Sequence, residues 1–119
     1  RRQRQMCIRD SFSTGSVRDT REGKGRFDLI SPIALRRLAV HLELGAKKYG
    51  DRNWERGQPL SRYYDSATRH LLTWFEQVDK EEDHLAAALW NIQAIIHTEE
   101  MIERGLLSED LHDLPYYLP

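Results

Sequence analysis

A ten-residue segment in the first half of the chain concentrates groups that suit a nucleotide. Lys47, Lys48 and Arg52 are cations that favour phosphate oxygens, and Asn53 and Trp54 follow at once. An amide can hydrogen-bond to the edge of a base, and an indole can stack on its face. For the two lysines, attraction to the negative end of a helix is an equally good explanation. The combination predicts phosphate and nucleoside contacts at this segment.

Four carboxylates are candidate ligands for a divalent metal ion. They are Glu43, Asp65, Glu82 and Asp83, on three predicted helices. Carboxylates that converge from several helices inside a bundle hold Mg²⁺ or Mn²⁺ in many proteins. The structural alternative is that Asp65 pairs with Arg69 one turn later on the surface, while the other acids complement a helix dipole.

Two histidines complete the set of groups that could move a proton. His70 and His84, together with Glu82 and Asp83, are candidate catalytic residues, because an imidazole or a carboxylate can accept the proton of an attacking water. A single histidine on a helix is more often a hydrogen-bonded core residue. The remaining candidates for substrate binding are Arg69, for phosphate, and Asn91, for the nucleoside.

Several common nucleotide-binding and catalytic patterns are missing from the sequence. There is no P-loop, no Rossmann glycine fingerprint, no zinc-finger spacing and no signature of a serine or cysteine nucleophile. Kinases, ordinary NTPases and hydride-transfer enzymes are therefore excluded. A hydrolase that uses water activated by a metal ion remains open.

Helical periodicity predicts the elements that must position these groups. The first helix runs from Pro32, capped by Ser31, to Gly50; the second runs from an N-cap at Ser61 to about residue 80. The third covers about residues 81–104, and a short fourth element covers 108–114. The apolar stripes expected to face the core are Leu35, Leu38, Leu42 and Tyr49 on the first helix, Tyr64, Ala67, Leu71, Trp74 and Val78 on the second, and Leu85, Leu89, Ile92 and Ile96 on the third.

No stretch alternates polar and apolar residues for long enough to predict a strand. The fold class is therefore all-α, and the short connections favour an antiparallel helical bundle. Residues 1–25 lack a sustained period and are rich in serine, threonine, glycine and charge, which predicts a flexible N-terminal arm. Residues 26–119 then form the single folded domain.

Composition narrows the partners and the compartment. The chain has 119 residues, 39% hydrophobic and 31% charged, with a net charge of -1, so it has no overall basic field for nucleic acid. The basic cluster Arg1, Arg2 and Arg4 is more typical of a disordered terminus. Cys7 is the single cysteine, which fits a reducing compartment, and no apolar run approaches the roughly 18 residues of a membrane span. We expect a cytoplasmic protein whose remaining apolar surface is covered by another copy.

Four segments together resemble one known family. They are residues 25–30 (GRFDLI), 45–54 (GAKKYGDRNW), 65–71 (DSATRHL) and 82–91 (EDHLAAALWN). Over about residues 24–104 the chain resembles the phage and bacterial dATP/dGTP diphosphohydrolases of the MazZ type, a branch of the MazG-like all-α nucleotide pyrophosphohydrolases. The resemblance implies a helical bundle that forms a dimer or tetramer and uses Mg²⁺ or Mn²⁺ held by carboxylates. It implies hydrolysis of purine deoxynucleoside triphosphates to the monophosphate and pyrophosphate, which would adjust the nucleotide pool of a phage or bacterium.

The chain departs from the broader MazG-like pattern, which has Glu-x-x-Glu on one helix and Glu-x-x-Asp on the next. Asp65 falls on the first of these positions, but its partner falls near Thr68 or Arg69, and the final acid falls on Ala87. At least two of the usual ligands are absent. Either Glu43 or Glu82 substitutes for them, or His84 and Asn91 do, or fewer ions bind.

A second class of function is a helical binding module with no catalytic activity. In that case the N-terminal arginines and the loop of Lys47 to Arg52 would bind nucleic acid or an acidic partner without a metal ion. Such binding would weaken steeply with salt.

Overall fold

A computed structural model describes residues 9–118 of the chain. Arg1, Arg2, Arg4 and Cys7 lie outside the described residues. The chain divides into two compact units, one ending at Ser31 and the other beginning at Pro32. The predicted end of the arm at residue 25 falls inside the first unit.

The first unit contains a short antiparallel hairpin. Strand β1 (Arg9–Ser11) pairs with strand β2 (Val17–Asp19), and oppositely charged residues face each other in the pairs Arg9–Asp19 and Asp10–Arg18. The expectation of no strand is wrong for these residues. Three-residue strands with both faces exposed are too short to show an alternating pattern, and their pairing depends on the turn between them.

The first long helix, α1, spans Pro32–Tyr49, and its predicted bounds are confirmed. Proline suits the first turn of a helix, where its missing N–H would have no partner. Gly50 ends the helix: its N–H donates to the carbonyl of Ala46 at 2.8 Å and its φ is +91°. This left-handed conformation favours glycine, so the sequence marks the point at which the chain turns away from α1.

Helix α2 spans Leu60–Glu76 and both of its predicted ends are wrong. Ser61 is not the N-cap, because the helix begins at Leu60 and its N-cap is Pro59. The backbone N–H of Ser61 donates to the carboxylate of Asp113 at 2.9 Å, and its hydroxyl donates to the same group. At the other end, Gln77 takes a left-handed conformation and its N–H donates to the carbonyl of Trp74 at 3.1 Å. The helix therefore stops before Asp79 and Lys80, where the prediction ended it.

Helix α3 spans His84–Glu103, so it begins three residues later than predicted. Asp83 is the N-cap, and its carboxylate accepts the N–H of Ala86 at 3.1 Å. An aspartate at this position satisfies an N–H that has no partner within the helix. Glu81 and Glu82 consequently lie in the turn before α3 and not in its first turn.

Helix α3 is the central element, because it packs along α2 and, over a shorter length, on α1. Its buried side carries small or polar residues at helical spacing, which lets the neighbouring helix come close. These residues are Ala87, Asn91, Ala94 and Thr98, and the buried residues of α2 are Leu60, Tyr63 and Ala67. The all-α class is confirmed.

Most of the predicted apolar stripes point away from this core. Tyr64 is 65% exposed and Ile96 is 62% exposed, whereas the alanines of α3 are buried. Ala67 is buried as predicted, but the predicted core-facing side is wrong for the exposed members, because the contact between α2 and α3 uses small residues and not the larger apolar ones. The exposed members are Leu35, Tyr49, Tyr64, Leu71, Trp74, Val78, Leu89, Ile92 and Ile96.

The C-terminal segment returns to the start of α2. The predicted fourth element is a single 3₁₀ turn, Glu109–Leu111, within the expected range. Leu107 and Leu111 lie against Gly57, and Asp113 binds the first turn of α2 through Ser61. Within the described part of the chain, no helix has the length and apolar character needed to cross a membrane.

Candidate functional site

A cleft of about 720 Å³ lies between α1 and the segment that joins α1 to α2. Gly45 and Ala46 leave space on the α1 side, and the rings of Tyr49, Trp54 and Trp90 provide apolar walls. Such a combination of aromatic walls with a few polar groups is typical of sites for small organic ligands. The polar side chains that line the cleft are His41, Asp51, Arg52, Asn53, Glu55 and Gln58.

Part of the predicted nucleotide segment lines this cleft. Arg52, Asn53 and Trp54 border it directly, and Arg52 forms an ion pair with Glu55. Lys47 and Lys48 are exposed in the last turn of α1 and do not line the cleft. The structure thus separates the predicted cations into one at the cleft and two just outside it.

Trp54 is held in place by α2 and α3. It lies in the 3₁₀ turn Asn53–Arg56, where its carbonyl accepts the hydroxyl of Tyr63 at 3.3 Å. Its ring meets the ring of His97 edge to face, with the centroids 4.8 Å apart. An indole fixed on one side and open to a cleft on the other can stack on a ligand without first losing side-chain freedom.

A cluster of imidazoles and carboxylates lies where α2 ends and α3 begins. Nδ1 of His70 is 2.9 Å from Nδ1 of His84 and 3.8 Å from a carboxylate oxygen of Glu82. Nε2 of His84 is 3.1 Å from a carboxylate oxygen of Asp79. His84 is only 7% exposed, whereas Glu82 is exposed. Among the described residues, His70, Glu82 and His84 are the one group of three such side chains close enough to share a metal ion.

Burial in this cluster favours a neutral imidazole. Burial lowers the pKa of His70, and the positive charges of His84, His41 and Arg69 act in the same direction. The carboxylate of Glu82 opposes them. A neutral ring has a free electron pair, which is the form that binds a metal ion or accepts a proton.

Asp83 is fixed by two interactions at once. Its carboxylate caps α3 and also accepts two hydrogen bonds from the guanidinium of Arg37 on α1, at 2.7 and 2.6 Å. The hydrogen bonds from Arg37 hold its pKa at about 2, with smaller effects from the N–H of Ala86 and from the charges of Arg37 and His41. Asp83 is therefore ionised, and Arg37 and Ala86 occupy its oxygens.

The other two predicted metal ligands lie in ion pairs. Asp65 pairs with Arg69 one turn later on α2, and Glu43 lies 4.0 Å from Lys47 on α1. Among the described residues the four predicted carboxylates do not converge as one group. Glu82 alone belongs to the cluster with the histidines, and the metal-binding roles of the other three stay predictions.

Asn91 lies in the contact between α2 and α3. It is 2% exposed, and its amide nitrogen donates to the hydroxyl of Ser66 at 3.2 Å and to the carbonyl of Ala87 at 2.9 Å. These bonds join the two helices that carry the histidines. Asn91 therefore stabilises the packing of α2 against α3, the helices that carry the two histidines.

Sequence reasoning did not find four residues that shape the site. The rings of His41 and Trp90 both line the cleft and contact each other, with their centroids 5.8 Å apart, while Arg37 and Asp79 orient Asp83 and His84. Asp79 was detectable as a turn residue before a helix. The others act across long separations in sequence, for which the sequence pattern carries no signal.

A family model for the dATP/dGTP diphosphohydrolase N-terminal domain matches residues 14–105, well over half of the chain. The chain belongs to this family. The match includes both the cleft segment and the cluster of His70, Glu82 and His84. No curated protein and no solved structure gave a match.

Membership of the dATP/dGTP diphosphohydrolase family confirms the family to which the four sequence segments are similar. The family is named for hydrolysis of purine deoxynucleotides, and nucleotide hydrolysis is therefore the class of activity to which the chain belongs. The cluster of two imidazoles and one carboxylate is compatible with a divalent metal ion.

Proposed function

We propose that this chain hydrolyses a purine deoxynucleoside triphosphate, dGTP or dATP, to the monophosphate and pyrophosphate with Mg²⁺ or Mn²⁺. The proposal depends on the family match. It is supported by the aromatic cleft and the His–His–Glu cluster in the same chain. The cleft suits a purine, and the cluster suits a divalent ion. Such an activity would adjust the deoxynucleotide pool of a phage or bacterium, as in the MazZ type.

The nucleoside binds in the cleft, with Trp54 stacked on the base. Asn53, Glu55 and Gln58 are the polar groups that can reach the edge of the base. Arg52 lies at the same cleft and neutralises phosphate charge when it exchanges Glu55 for a phosphate oxygen. Lys47 and Lys48, and Arg69 on α2, add positive charge outside the cleft, which stabilises the charge that develops in the transition state.

The reaction breaks the bond between the α-phosphorus and the oxygen that bridges to the β-phosphorus. The oxygen of a water molecule forms a bond to the α-phosphorus, and pyrophosphate leaves. The water proton passes to a carboxylate such as Glu82, through the oxygen that does not bind the ion, because the lone pairs of His70 and His84 would be on the metal ion. Asp83 acts as a positioning residue, because it fixes the start of α3 beside them.

His70, Glu82 and His84 would hold the metal ion. When bound, the ion polarises phosphate oxygens and lowers the pKa of water. Asp65 and Glu43 stay proposed ligands from the sequence. Mn²⁺ affinity measured in Asp65→Asn tests this, and an affinity equal to that of the unmodified protein would remove Asp65 from the set.

We also propose that a second copy covers part of the exposed apolar surface. Leu72 and Phe75 on α2 and Ile92 and Ile96 on α3 are all exposed in one chain. Light scattering of the unmodified protein should give the mass of a dimer or tetramer, and Phe75→Glu should shift it toward the monomer. A monomeric unmodified protein would contradict this assembly.

Thermal unfolding with each nucleotide tests the proposed function without requiring turnover. A ligand that binds the native state raises the unfolding temperature. We expect dGTP or dATP to raise it with Mg²⁺ or Mn²⁺ present and to have little effect with EDTA. Stabilisation by an oligonucleotide without metal, and none by any nucleotide, would instead support a binding module.

A further inference from the structure

The two imidazoles of the cluster face each other through the same type of nitrogen. Nδ1 of His70 and Nδ1 of His84 are 2.9 Å apart. Asp79 accepts a hydrogen bond from Nε2 of His84 at 3.1 Å, so the proton of a neutral His84 lies on Nε2 and its Nδ1 presents a lone pair. In the free protein His70 then donates from its own Nδ1 to that lone pair.

The spacing of the two nitrogens matches a pair of ligands on one ion. Two nitrogens that bind one transition-metal ion at about 2.1 Å, with an angle between 90° and tetrahedral, lie roughly 3 to 3.4 Å apart. The observed 2.9 Å needs only a slight opening. A carboxylate oxygen of Glu82 lies 3.8 Å from Nδ1 of His70, and all three donor atoms are within 4.8 Å of one another.

The surroundings of the pair support a metal-binding role over a simple hydrogen bond. Asp79 holds the far nitrogen of His84, an arrangement that fixes the tautomer and the orientation of metal-binding histidines. His84 is buried, which limits its motion, while the exposed Glu82 leaves one side open for an ion to enter. A simple hydrogen bond between the two rings would require neither the carboxylate of Glu82 nor an exposed side through which an ion can enter.

We propose that His70, His84 and Glu82 form a chelating site for a transition-metal ion, with Asp79 orienting His84. Imidazole nitrogen favours ions such as Co²⁺ and Zn²⁺, whereas Mg²⁺ favours oxygen ligands and retains its water. The expected order of affinity is Zn²⁺ and Co²⁺ above Mn²⁺, and Mn²⁺ above Mg²⁺. When the ion binds, the proton on Nδ1 of His70 moves to its Nε2, so two neutral rings supply both ligands.

The metal site deepens the proposed function by naming the class of ion. Only the role of that ion in hydrolysis rests on the proposed function. With both imidazoles on the ion, the proton of the attacking water goes to a carboxylate. Binding of the ion itself needs no nucleotide. The two ideas can therefore fail separately.

Direct titration of the untagged full chain with Co²⁺ tests the site, because Co²⁺ bound to imidazole absorbs visible light. We expect saturable absorption that Zn²⁺ abolishes and that a large excess of Mg²⁺ leaves in place. His70→Gln should weaken Co²⁺ binding at least tenfold, and Asp79→Asn should weaken it roughly 10- to 100-fold. The matched control is His112→Gln, since His112 is exposed at the end of the C-terminal 3₁₀ turn.

Folding of each variant is checked by circular dichroism before the titration. Because His84 is buried, the test relies on the half-buried His70 and the exposed Glu82, and Glu82→Gln is the second variant. Equal Co²⁺ affinity in His70→Gln and His112→Gln, or ready displacement of Co²⁺ by Mg²⁺, would overturn the proposal. Histidine-dependent Co²⁺ binding without nucleotide hydrolysis by any ion would support the site and reject the proposed function.

Discussion

Arg37 and Asp83, 46 positions apart in sequence, form a paired ion contact with nitrogen–oxygen distances of 2.7 and 2.6 Å. The contact joins α1, which forms one wall of the cleft, to the residue that caps α3. Glu82 and His84 are the neighbours of Asp83 in sequence. The ion pair therefore links the helix of the proposed nucleoside site to the turn that carries the proposed metal site.

Substitutions of Asp83 separate its two structural roles. Asp83→Asn keeps an oxygen that can cap α3 but loses the charge that pairs with Arg37, whereas Asp83→Ala loses both. We expect the alanine variant to be less stable than the asparagine variant by about 1 kcal/mol, the usual value of an N-cap. Urea unfolding of both variants measures the difference, and equal free energies of unfolding would show that the cap contributes nothing.

Asp113 should make stability depend on pH in acid. Hydrogen bonds from the hydroxyl and then the N–H of Ser61 lower the pKa of Asp113 below its ordinary value of 3.8. A carboxylate with a lowered pKa stabilises the fold above its unfolded pKa, and this stabilisation disappears as the pH falls through the folded pKa.

Asp113→Asn should therefore be less stable than the unmodified protein at neutral pH, and the gap should close below about pH 4. The matched control is Asp110→Asn, because Asp110 lies in the adjacent 3₁₀ turn and does not contact Ser61 through its carboxylate. Thermal unfolding between neutral and acidic pH gives the comparison. A gap that stays constant with pH would show that the hydrogen bonds from Ser61 to the ionised carboxylate of Asp113 do not contribute to stability.

Gly57→Ala should be strongly destabilising for two reasons. The φ of Gly57 is +98°, and an added Cβ would meet Cδ1 of Leu111 at 2.8 Å and the methyl carbons of Leu107 at 3.2 and 3.3 Å. Gly50→Ala is the control, since Gly50 has a φ of +91° with nothing near the added Cβ.

We expect a loss of about 1 kcal/mol at Gly50 from the backbone alone, and roughly 2–3 kcal/mol at Gly57, where overpacking adds to it. Chemical denaturation of both variants measures the two losses. Equal losses would mean that the C-terminal segment moves aside at no cost.

Removal of the Trp54 indole should weaken substrate binding. Trp54→Ala should raise the KM for purine deoxynucleotides roughly tenfold, since stacking on an aromatic ring contributes about 1–3 kcal/mol per base. Trp54→Phe keeps a ring and should recover most of the loss. Because Trp54 also packs against the core, the unfolding temperature is measured in parallel. A lower unfolding temperature with an unchanged KM would make the role of Trp54 purely structural.

Local signals predicted α1 well, because a proline at its start and a glycine at its end act within a few residues. The start of α2 could not be predicted, because Ser61 is bound by Asp113, 52 positions away. His70 and His84 were predicted as members of one catalytic set, but the direct contact of their rings was not predicted. Their approach depends on the turn at Asp79, which places the end of α2 beside the start of α3.

The buried face of α3 shows a different limit. Size and apolar character favoured Leu89, Ile92 and Ile96 as core residues, but the contact with α2 uses Ala87 and Ala94. Small residues permit close packing of two helices. Helical periodicity in the sequence does not distinguish a face that packs inside the chain from a face that would contact a second copy. The sequence predicted the presence of the helix but not its orientation.

The most direct measurement is the identity of the products. The protein is incubated with each of the four dNTPs and with GTP, in Mg²⁺, in Mn²⁺ and in EDTA, and the products are separated by ion-exchange chromatography. The proposed function predicts metal-dependent formation of dGMP or dAMP in equal amount with pyrophosphate. Release of triphosphate or orthophosphate as the first product, or no turnover of any substrate, would contradict it.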